Sequence, residues 1–334
     1  MSRMDLRQLS ALVAVADHRS FSAAAKALYT VQSNVSAHVA HLERELGVRL
    51  VDRSNGRLTP EGEVVVARAR RIQRELEALS ADVTSMGDEI AGEARLGLIG
   101  TTARWLAPQL INALRLSHPK VRLVILEAST TSLIPQLVAG QLDLAVVNLP
   151  VTDPEVETSP LFDEELVLLA ARGSRLAERE ELSMVDLADE PLMLPPPGTA
   201  LRHDLDAEAR RAGITLKAVA EIDGVQLLTS LAFEGFGATI IPTTAVPAWV
   251  TGEFARVPIV DLSRRQVGLA RRRRAMSSAS ARAVGAILHE ITATRATNQP
   301  GVRPIDIDDG EDGDEETVGS AEAGATAAEV AARA

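Results

Sequence analysis

Residues 20–47, SFSAAAKALYTVQSNVSAHVAHLERELG, hold two short helical patterns with almost nothing between them. The first is rich in alanine. The second places Val35, Val39, Leu42 and Leu46 on one stripe and Ser33, Asn34, Ser36, Ala37 and His41 away from it. An ordinary solvated face would carry long charged side chains, whereas this one carries short polar groups. Working outward, residues 5–17 read as an amphipathic helix with Leu9, Leu12, Val13 and Ala16 inward. Ser22 is the expected cap of the second helix, and TVQS, residues 30–33, forms the turn into the third. That spacing is a helix-turn-helix. Beyond Gly47, VRLVDRSNGRLT, residues 48–59, contains Asn55-Gly56, the favoured pair for a two-residue hairpin turn. Such a hairpin brings Arg53 and Arg57 together as a wing.

Short side chains allow a helix backbone to sit deep in a DNA major groove, where Gln32, Ser33, Asn34, Ser36 and His41 can reach base edges. Backbone N–H groups at the start of the third helix, with Arg53 and Arg57, suit phosphate. The plainer reading is that three helices and a hairpin form a small core and the polar face is incidental. The residue pattern alone leaves both open.

The formal net charge of −11 looks wrong for a nucleic-acid binder, but ten Asp/Glu against two Arg lie between residues 300 and 334. Residues 1–60 hold eight Lys/Arg against five Asp/Glu, a surplus that permits phosphate binding without arguing for it. With 334 residues, 46% of them hydrophobic, the chain can bury two or three cores. Cysteine is absent, which excludes disulfide scaffolds, thiolate metal sites and cysteine nucleophiles and suits a reducing cytoplasm. The six histidines show no metal-ligand spacing, so neither a metal nor a cofactor is expected. Asp5, Arg7, Asp17 and His18 interrupt the first twenty residues, which therefore do not read as a signal peptide, and no run reaches membrane-spanning length.

A long helix follows the hairpin. Thr59 can cap it, Pro60 suits its first position, and Glu61 and Glu63 complement the positive end of its dipole. Val65, Ala69, Ile72, Leu76, Leu79, Val83, Met86 and Ile90 then recur in alternating steps of four and three, a heptad seam that predicts self-association. A helix packed only on its own domain usually shows a wider apolar face. Gly87 and Gly92 are expected to end the helix and open a linker.

The next segments alternate. EARLGLIG (93–100), KVRLVILEA (120–128) and DLAVVNL (143–149) read as strands around helices at 101–119 and 131–142. This βαβαβ order predicts a parallel sheet with right-handed crossovers. A second run, with strands at 165–173, 191–198, 217–222 and 237–242 and helices at 201–212 and 225–235, predicts a similar lobe. One more strand (266–273) and helix (277–292) follow. The expectation is two α/β lobes joined by crossing strands, with an acidic disordered tail.

In such lobes ligands collect at strand carboxyl ends and helix N-termini. Thr101, Thr102, Thr130, Thr131 and Asn148 lie at such ends, and Pro196 and Thr199 follow a strand of the facing lobe. Each could equally be an ordinary cap. Arg202 reads as an exposed first-turn arginine, and Arg271–Arg274 as a solvated strand edge.

RQLSALVAVADHRSFSAAAKAL (7–28), QSNVSAHVAHLERELGVRLVDR (32–53) and GRLTPEGE (56–63) resemble the N-terminal signature of the LysR-type transcriptional regulators. The likeness continues, more loosely, through GQLDLAVV (140–147), PLMLPPPGTALR (191–202) and GFGATIIP (235–242), and spans about residues 4–294. It implies an α/β protein with an N-terminal all-α winged helix-turn-helix over residues 1–59. A coiled-coil dimerisation helix at 60–90 and a two-lobed, periplasmic-binding-protein-like effector domain at 91–297 would follow, leaving 298–334 as the tail. It also implies a dyad-symmetric double-stranded DNA site, a small-molecule effector, a homodimer extending to a homotetramer, and RNA polymerase as a candidate partner. That the effector is anionic is expected from Thr101, Thr102, Thr130, Thr131 and Thr199 beside helix N-termini. Two departures stand out. Val31 occupies the position before Gln32 where the family usually has Ser or Thr, so capping there is expected to be shifted or weaker. Val51 stands where an aromatic residue is common.

A transport-associated solute receptor would share the two lobes but has no use for residues 4–59. An enzyme would need acid and base groups in the cleft, where the sequence offers hydroxyls, prolines and an amide. No catalytic residue is therefore assigned.

Overall fold

A computed structural model describes residues 4–84, 89–274 and 276–305. Helix α1 (Leu6–His18) starts in a capping box between Asp5 and Gln8 and buries Leu9, Leu12 and Val13. Helix α2 (Phe21–Ala27) is capped by Ser20, whose hydroxyl accepts from the Ala23 N–H at 3.3 Å. The expected cap, Ser22, lies inside the helix, because the extended backbone at Ser20 already starts it. Helix α3 (Gln32–Leu46) has Val31 at its N-cap with no side-chain hydrogen bond, the weakened cap that the sequence implied. Val35, Val39 and Leu42 are fully buried. Leu46 leaves the expected stripe and is exposed, at the very end of the helix before Gly47 (φ +71°).

Strands β1 (Val51–Asp52) and β2 (Arg57–Leu58) pair Asp52 with Arg57, so the wing loop spans four residues rather than two. The Asp52 carboxylate sets this longer loop by accepting from the Ser54 N–H (2.9 Å), the Ser54 hydroxyl (2.6 Å) and the Asn55 side chain (2.7 Å). Gly56 sits at φ +69° against the Arg19 carbonyl, where an added Cβ would lie 2.3 Å from that oxygen.

Helix α4 (Pro60–Thr84) is capped by Thr59, whose hydroxyl accepts from the Gly62 N–H at 3.0 Å. Val66 and Ala69 join the core of the N-terminal helices, and Val65 packs against it half-buried. Ile72, Leu76, Leu79 and Val83 continue as an exposed stripe. Met86 and Gly87 lie outside the described residues. Ile90 precedes strand β3 (Ala91–Leu98), and Gly92 lies within that strand rather than in a linker.

In the first lobe, β3 is flanked by parallel partners β4 (Lys120–Glu127) and β5 (Leu144–Asn148), with α5 (Gly100–Ser117) and α6 (Thr130–Val138) as crossovers. Strand β6 (Val156–Glu164) was not expected from the sequence. It pairs with β12 (Arg265–Arg272), whose register shifts between Val267 and Gly268 opposite Pro160, a proline accommodated at a bulge. The chain crosses at Glu164–Glu165 into the second lobe. That lobe contains β7 (Leu166–Ala171), β8 (Pro191–Leu194), α7 (Ala200–Arg211), β9 (Lys217–Glu221), α8 (Val225–Phe233), β10 (Ala238–Pro242) and β11 (Phe254–Pro258), in sheet order β11-β7-β10-β8-β9. It returns through β12, and α9 (Ala279–Arg295) packs on the first lobe.

Strand β13 (Val302–Pro304) pairs with β6, so residues 298–305 belong to the fold and not to the expected tail. Gln299 explains the anchoring. Its side chain donates to the Thr243 and Val246 carbonyls at 3.1 and 3.2 Å and accepts from the Ala248 N–H at 2.8 Å. The acidic run from Asp306 onward lies outside the described residues. At the end of β12 Arg271, Arg273 and Arg274 are exposed, as the solvated reading expects, although the strand itself lies inside the sheet between β6 and β5. Arg272 is largely buried and donates to the Leu137 and Leu142 carbonyls at 3.0 and 2.7 Å.

Candidate DNA-reading face and inter-lobe cleft

Packing of α3 through Val35, Val39 and Leu42 turns Gln32, Ser33 and Asn34 outward, with Ser36 and His41 half-buried beside them. Asn34 donates to the Thr30 hydroxyl at 3.0 Å, and Arg44 lies 3.3 Å from the His41 ring. The two wing arginines differ. Arg57 is exposed, whereas Arg53 pairs with Glu43 at 3.2 Å and lies 5.7 Å from the Phe21 ring centre. Glu43 also accepts from the Leu50 and Val51 N–H groups, so it ties the recognition-type helix to the strand entering the wing. Tyr29, nearly fully exposed at φ +53°, precedes Asn34's partner Thr30 in the turn, and no sequence pattern marked it.

Between the lobes lies a cleft of about 530 Å³. Thr101, Thr130, Thr131, Asn148 and Thr199 all line it. Thr130 accepts from the Asn148 N–H at 3.1 Å, Thr131 bonds Ser129 at 2.9 Å, and Thr199 caps α7. The Asn148 Oδ1 is buried without a partner among the described residues. Two expected residues do not line the cleft. Thr102 is fully buried and donates to the Ile99 carbonyl at 3.1 Å, because the helical turn directs it into the lobe. Pro196 gives only its carbonyl, to the Thr199 hydroxyl at 2.9 Å, and Pro195 lines the cleft instead.

The sequence reading missed four polar groups in the cleft: Glu127, Asp223, Gln226 and Arg265. Gln226 reaches across from α8 to the Gly100 carbonyl at 2.8 Å. Arg265 donates to Thr101 at 2.9 Å and pairs with Glu164. A polar residue at a strand end was the available signal for Glu127 and Arg265; nothing local marked the other two. Arg202 is not exposed. It bonds Asp206 at 2.9 Å, Glu221 at 3.2 Å and the Pro195 carbonyl at 3.0 Å, and Asp206 above all raises its pKa. Among the described residues no His/Cys/Asp/Glu group is arranged to hold a metal, and no helix is long and apolar enough to cross a membrane.

Residues 87–293 match the family model described as the LysR substrate binding domain, and residues 6–63 match the bacterial regulatory helix-turn-helix protein, lysR family. The chain is 32% identical over 246 residues to the hydrogen peroxide-inducible genes activator of Dickeya chrysanthemi, covering 73% of this chain and 81% of that protein. It is 33% identical over 297 residues to the probable hydrogen peroxide-inducible genes activator of Streptomyces viridosporus, covering 85% and 93%. A full-length OxyR variant from Pseudomonas aeruginosa is similar in structure, with a TM-score of 0.67, 28% identity and coverage of 88% and 96%. CbnR, solved with its target DNA, shares the fold at a TM-score of 0.67 and 22% identity, covering 87% of this chain and 99% of that one.

Proposed function

The chain belongs to the LysR family of DNA-binding transcriptional regulators, which are not enzymes, and from that premise we propose how it reads DNA and what its cleft senses. Residues 1–59 form the DNA-binding unit, 60–90 the dimerising arm and 91–297 the effector unit. Gln32, Ser33, Asn34, Ser36 and His41 meet base edges, and Arg57, with Arg53, meets phosphate. Two protomers pair through Val65, Ile72, Leu76, Leu79, Val83 and Met86 and place two α3 helices on dyad-related half-sites, in the cytoplasm where promoter DNA is. Pairing of such dimers gives a tetramer, and RNA polymerase is the partner through which transcription changes.

The effector is a small polar molecule that carries an anionic group and at least one hydrogen-bond donor. Ser129, Thr130 and Thr131 at the N-terminus of α6, with Thr101 and Thr199, suit the anion. The donor end suits Glu127 and Asp223, which line the same cleft. One observation carries this reading: the Asn148 Oδ1 is buried in the cleft with no partner among the described residues, an acceptor awaiting a donor.

Relatives of this chain are named for induction by hydrogen peroxide. Thiol oxidation cannot serve that purpose here, because this chain has no cysteine. Ligand occupancy of the cleft is therefore the proposed signal. A melting-temperature screen of amino acids, dicarboxylates and sugar acids tests it. At least one compound should stabilise the protein, shift its binding to promoter DNA, and lose both effects in Thr131→Val. A peroxide-dependent change in promoter binding with no ligand found would overturn this reading.

A further inference from the structure

Where α4 crosses the first lobe, the two enclose a small cavity of about 160 Å³, separate from the inter-lobe cleft. Arg71 and Arg74 of α4 line one side, and Arg95 of β3, Asp143 beside β5 and Arg272 of β12 line the other. Packing puts these cations there. Arg272 is fixed by the Leu137 carbonyl of α6 and the Leu142 carbonyl in the turn that follows, and the stem of Arg71 lies over Gly140, 3.2 Å from where a Cβ would stand.

Four carboxylates also line the cavity, and Asp143 acts electrostatically on both Arg74 and Arg272. Asp143 accepts from the Arg95 backbone N–H at 2.8 Å, Glu93 is shared between Arg95 and Arg122, and Glu75 lies 4.0 Å from Arg272. Glu77 stands exposed at the rim. Arg71 and Arg74 form no ion pair among the described residues. Two guanidinium nitrogens, Nη2 of Arg74 and Nε of Arg272, are buried with no acceptor among those residues. Leaving buried donors of a charged group unmet is costly, so native sites of this kind hold a partner. Burial, then the nearby Arg95, lowers the pKa of Arg74, as expected where like charges crowd.

We propose that a small inorganic oxoanion of the phosphate or sulfate class binds between α4 and the first lobe, accepting hydrogen bonds from Arg74 and Arg272. The cavity has less than a third of the cleft's volume, which suits such an ion and not a larger metabolite. Arginine forks match oxoanions through paired N–H donors. Because Arg74 rides on the helix that carries the DNA-binding unit while Arg272 belongs to the sensing lobe, the ion pins one to the other. This site stands independently of the effector assigned to the inter-lobe cleft.

Calorimetry on the full chain tests it, using sodium sulfate and sodium phosphate with ionic strength held constant by sodium chloride. At least one anion should bind saturably, once per chain. Arg74→Gln should weaken that binding by about tenfold or more. Thr131→Val, in the other cleft, should leave it unchanged. Absence of saturable binding for both anions at millimolar concentration overturns the proposal, as does unchanged affinity in a folded Arg74→Gln protein. Loss of binding in Thr131→Val would move the ion to the inter-lobe cleft and overturn it equally. Should Arg74→Gln fail to fold, as judged by circular dichroism, Arg71→Gln takes its place, with weaker binding expected and unchanged binding overturning.

Discussion

Arg265 holds Glu164 at 3.1 Å through its Nε, and Glu164 has no exposed surface at all. The other carboxylate oxygen accepts from the Thr244 hydroxyl at 2.6 Å, and Arg265 continues to Thr101 at 2.9 Å. One ion pair therefore joins the crossing strand, the second lobe and the cleft. Arg265→Gln leaves a buried carboxylate uncompensated and is expected to cost about 3–5 kcal/mol. Urea unfolding measures this. A loss below about 1 kcal/mol would mean that the carboxylate finds water or another partner.

The two neighbouring threonines of α5 and the one at α6 separate stability from sensing. Thr102→Val removes only a bond to the Ile99 carbonyl within the lobe and should cost about 1 kcal/mol while ligand response persists. Thr131→Val removes a hydroxyl that lines the cleft and should weaken the response with little change in stability. Dose-response curves of promoter binding, beside melting temperatures, distinguish the two. A reversed pattern would show that the cleft has been assigned the wrong way round.

The contrast between these threonines shows what the sequence could and could not reveal. Strand-end position pointed to Thr101, Thr130, Thr131, Asn148 and Thr199, which line one cleft, because βα turns bring residues to that side of a lobe. It could not say which of two consecutive hydroxyls points outward, since that depends on the first turn of α5. The pairing of Arg265 with Glu164 was not legible for a different reason: the two lie 101 residues apart and meet only after the chain has built the whole second lobe. Strand β6 escaped because Pro160 and scattered polar residues break the alternation that marks a strand. The helix-turn-helix was legible because its contacts are local.

At the wing, Arg57 is exposed and Arg53 is already engaged with Glu43. Arg57→Ala should weaken binding to all DNA sequences alike and reduce the slope of log affinity against log salt by about 0.9 for each duplex phosphate that is no longer neutralised. Asn34→Ala should instead relax choice at one base position, by about 1–3 kcal/mol where it makes a bidentate contact. Binding measured across a salt series on matched and mismatched sites checks both. An unchanged salt slope in Arg57→Ala would remove the wing from the phosphate backbone.

His289, half-buried in α9 and 3.3 Å from the Ser159 hydroxyl, has its pKa lowered by burial and then by Arg271. The unfolded chain takes up a proton at this residue near the ordinary value of about 6.5, whereas the folded chain resists it. Stability should therefore fall as pH drops through about 6.5, and continue to fall until the lowered folded pKa is reached. His289→Gln should flatten that part of the stability curve. Equal slopes for both proteins in chemical denaturation at several pH values would show that His289 is not responsible.

The stripe on α4 gives the last prediction. Leu79 and Val83 are 61% and 62% exposed, and Ile72 and Leu76 are each 42% exposed, although the preceding turns of the same helix are sunk into the N-terminal core. A run of large apolar side chains at heptad spacing, bare in the single chain, is what a two-stranded seam requires. Val65 sits half-buried against its own domain, so the strength of the pairing should reside from Ile72 onward. Leu76→Glu with Leu79→Glu would place charges where two helices meet and should separate the protomers, since burying an unpaired carboxylate is strongly unfavourable. The same changes touch none of the buried core, so each separated chain should keep its fold. Light scattering of the double variant is expected to show monomers with unchanged circular dichroism and a loss of tight binding to dyad-symmetric DNA. A fully dimeric double variant would place the interface elsewhere.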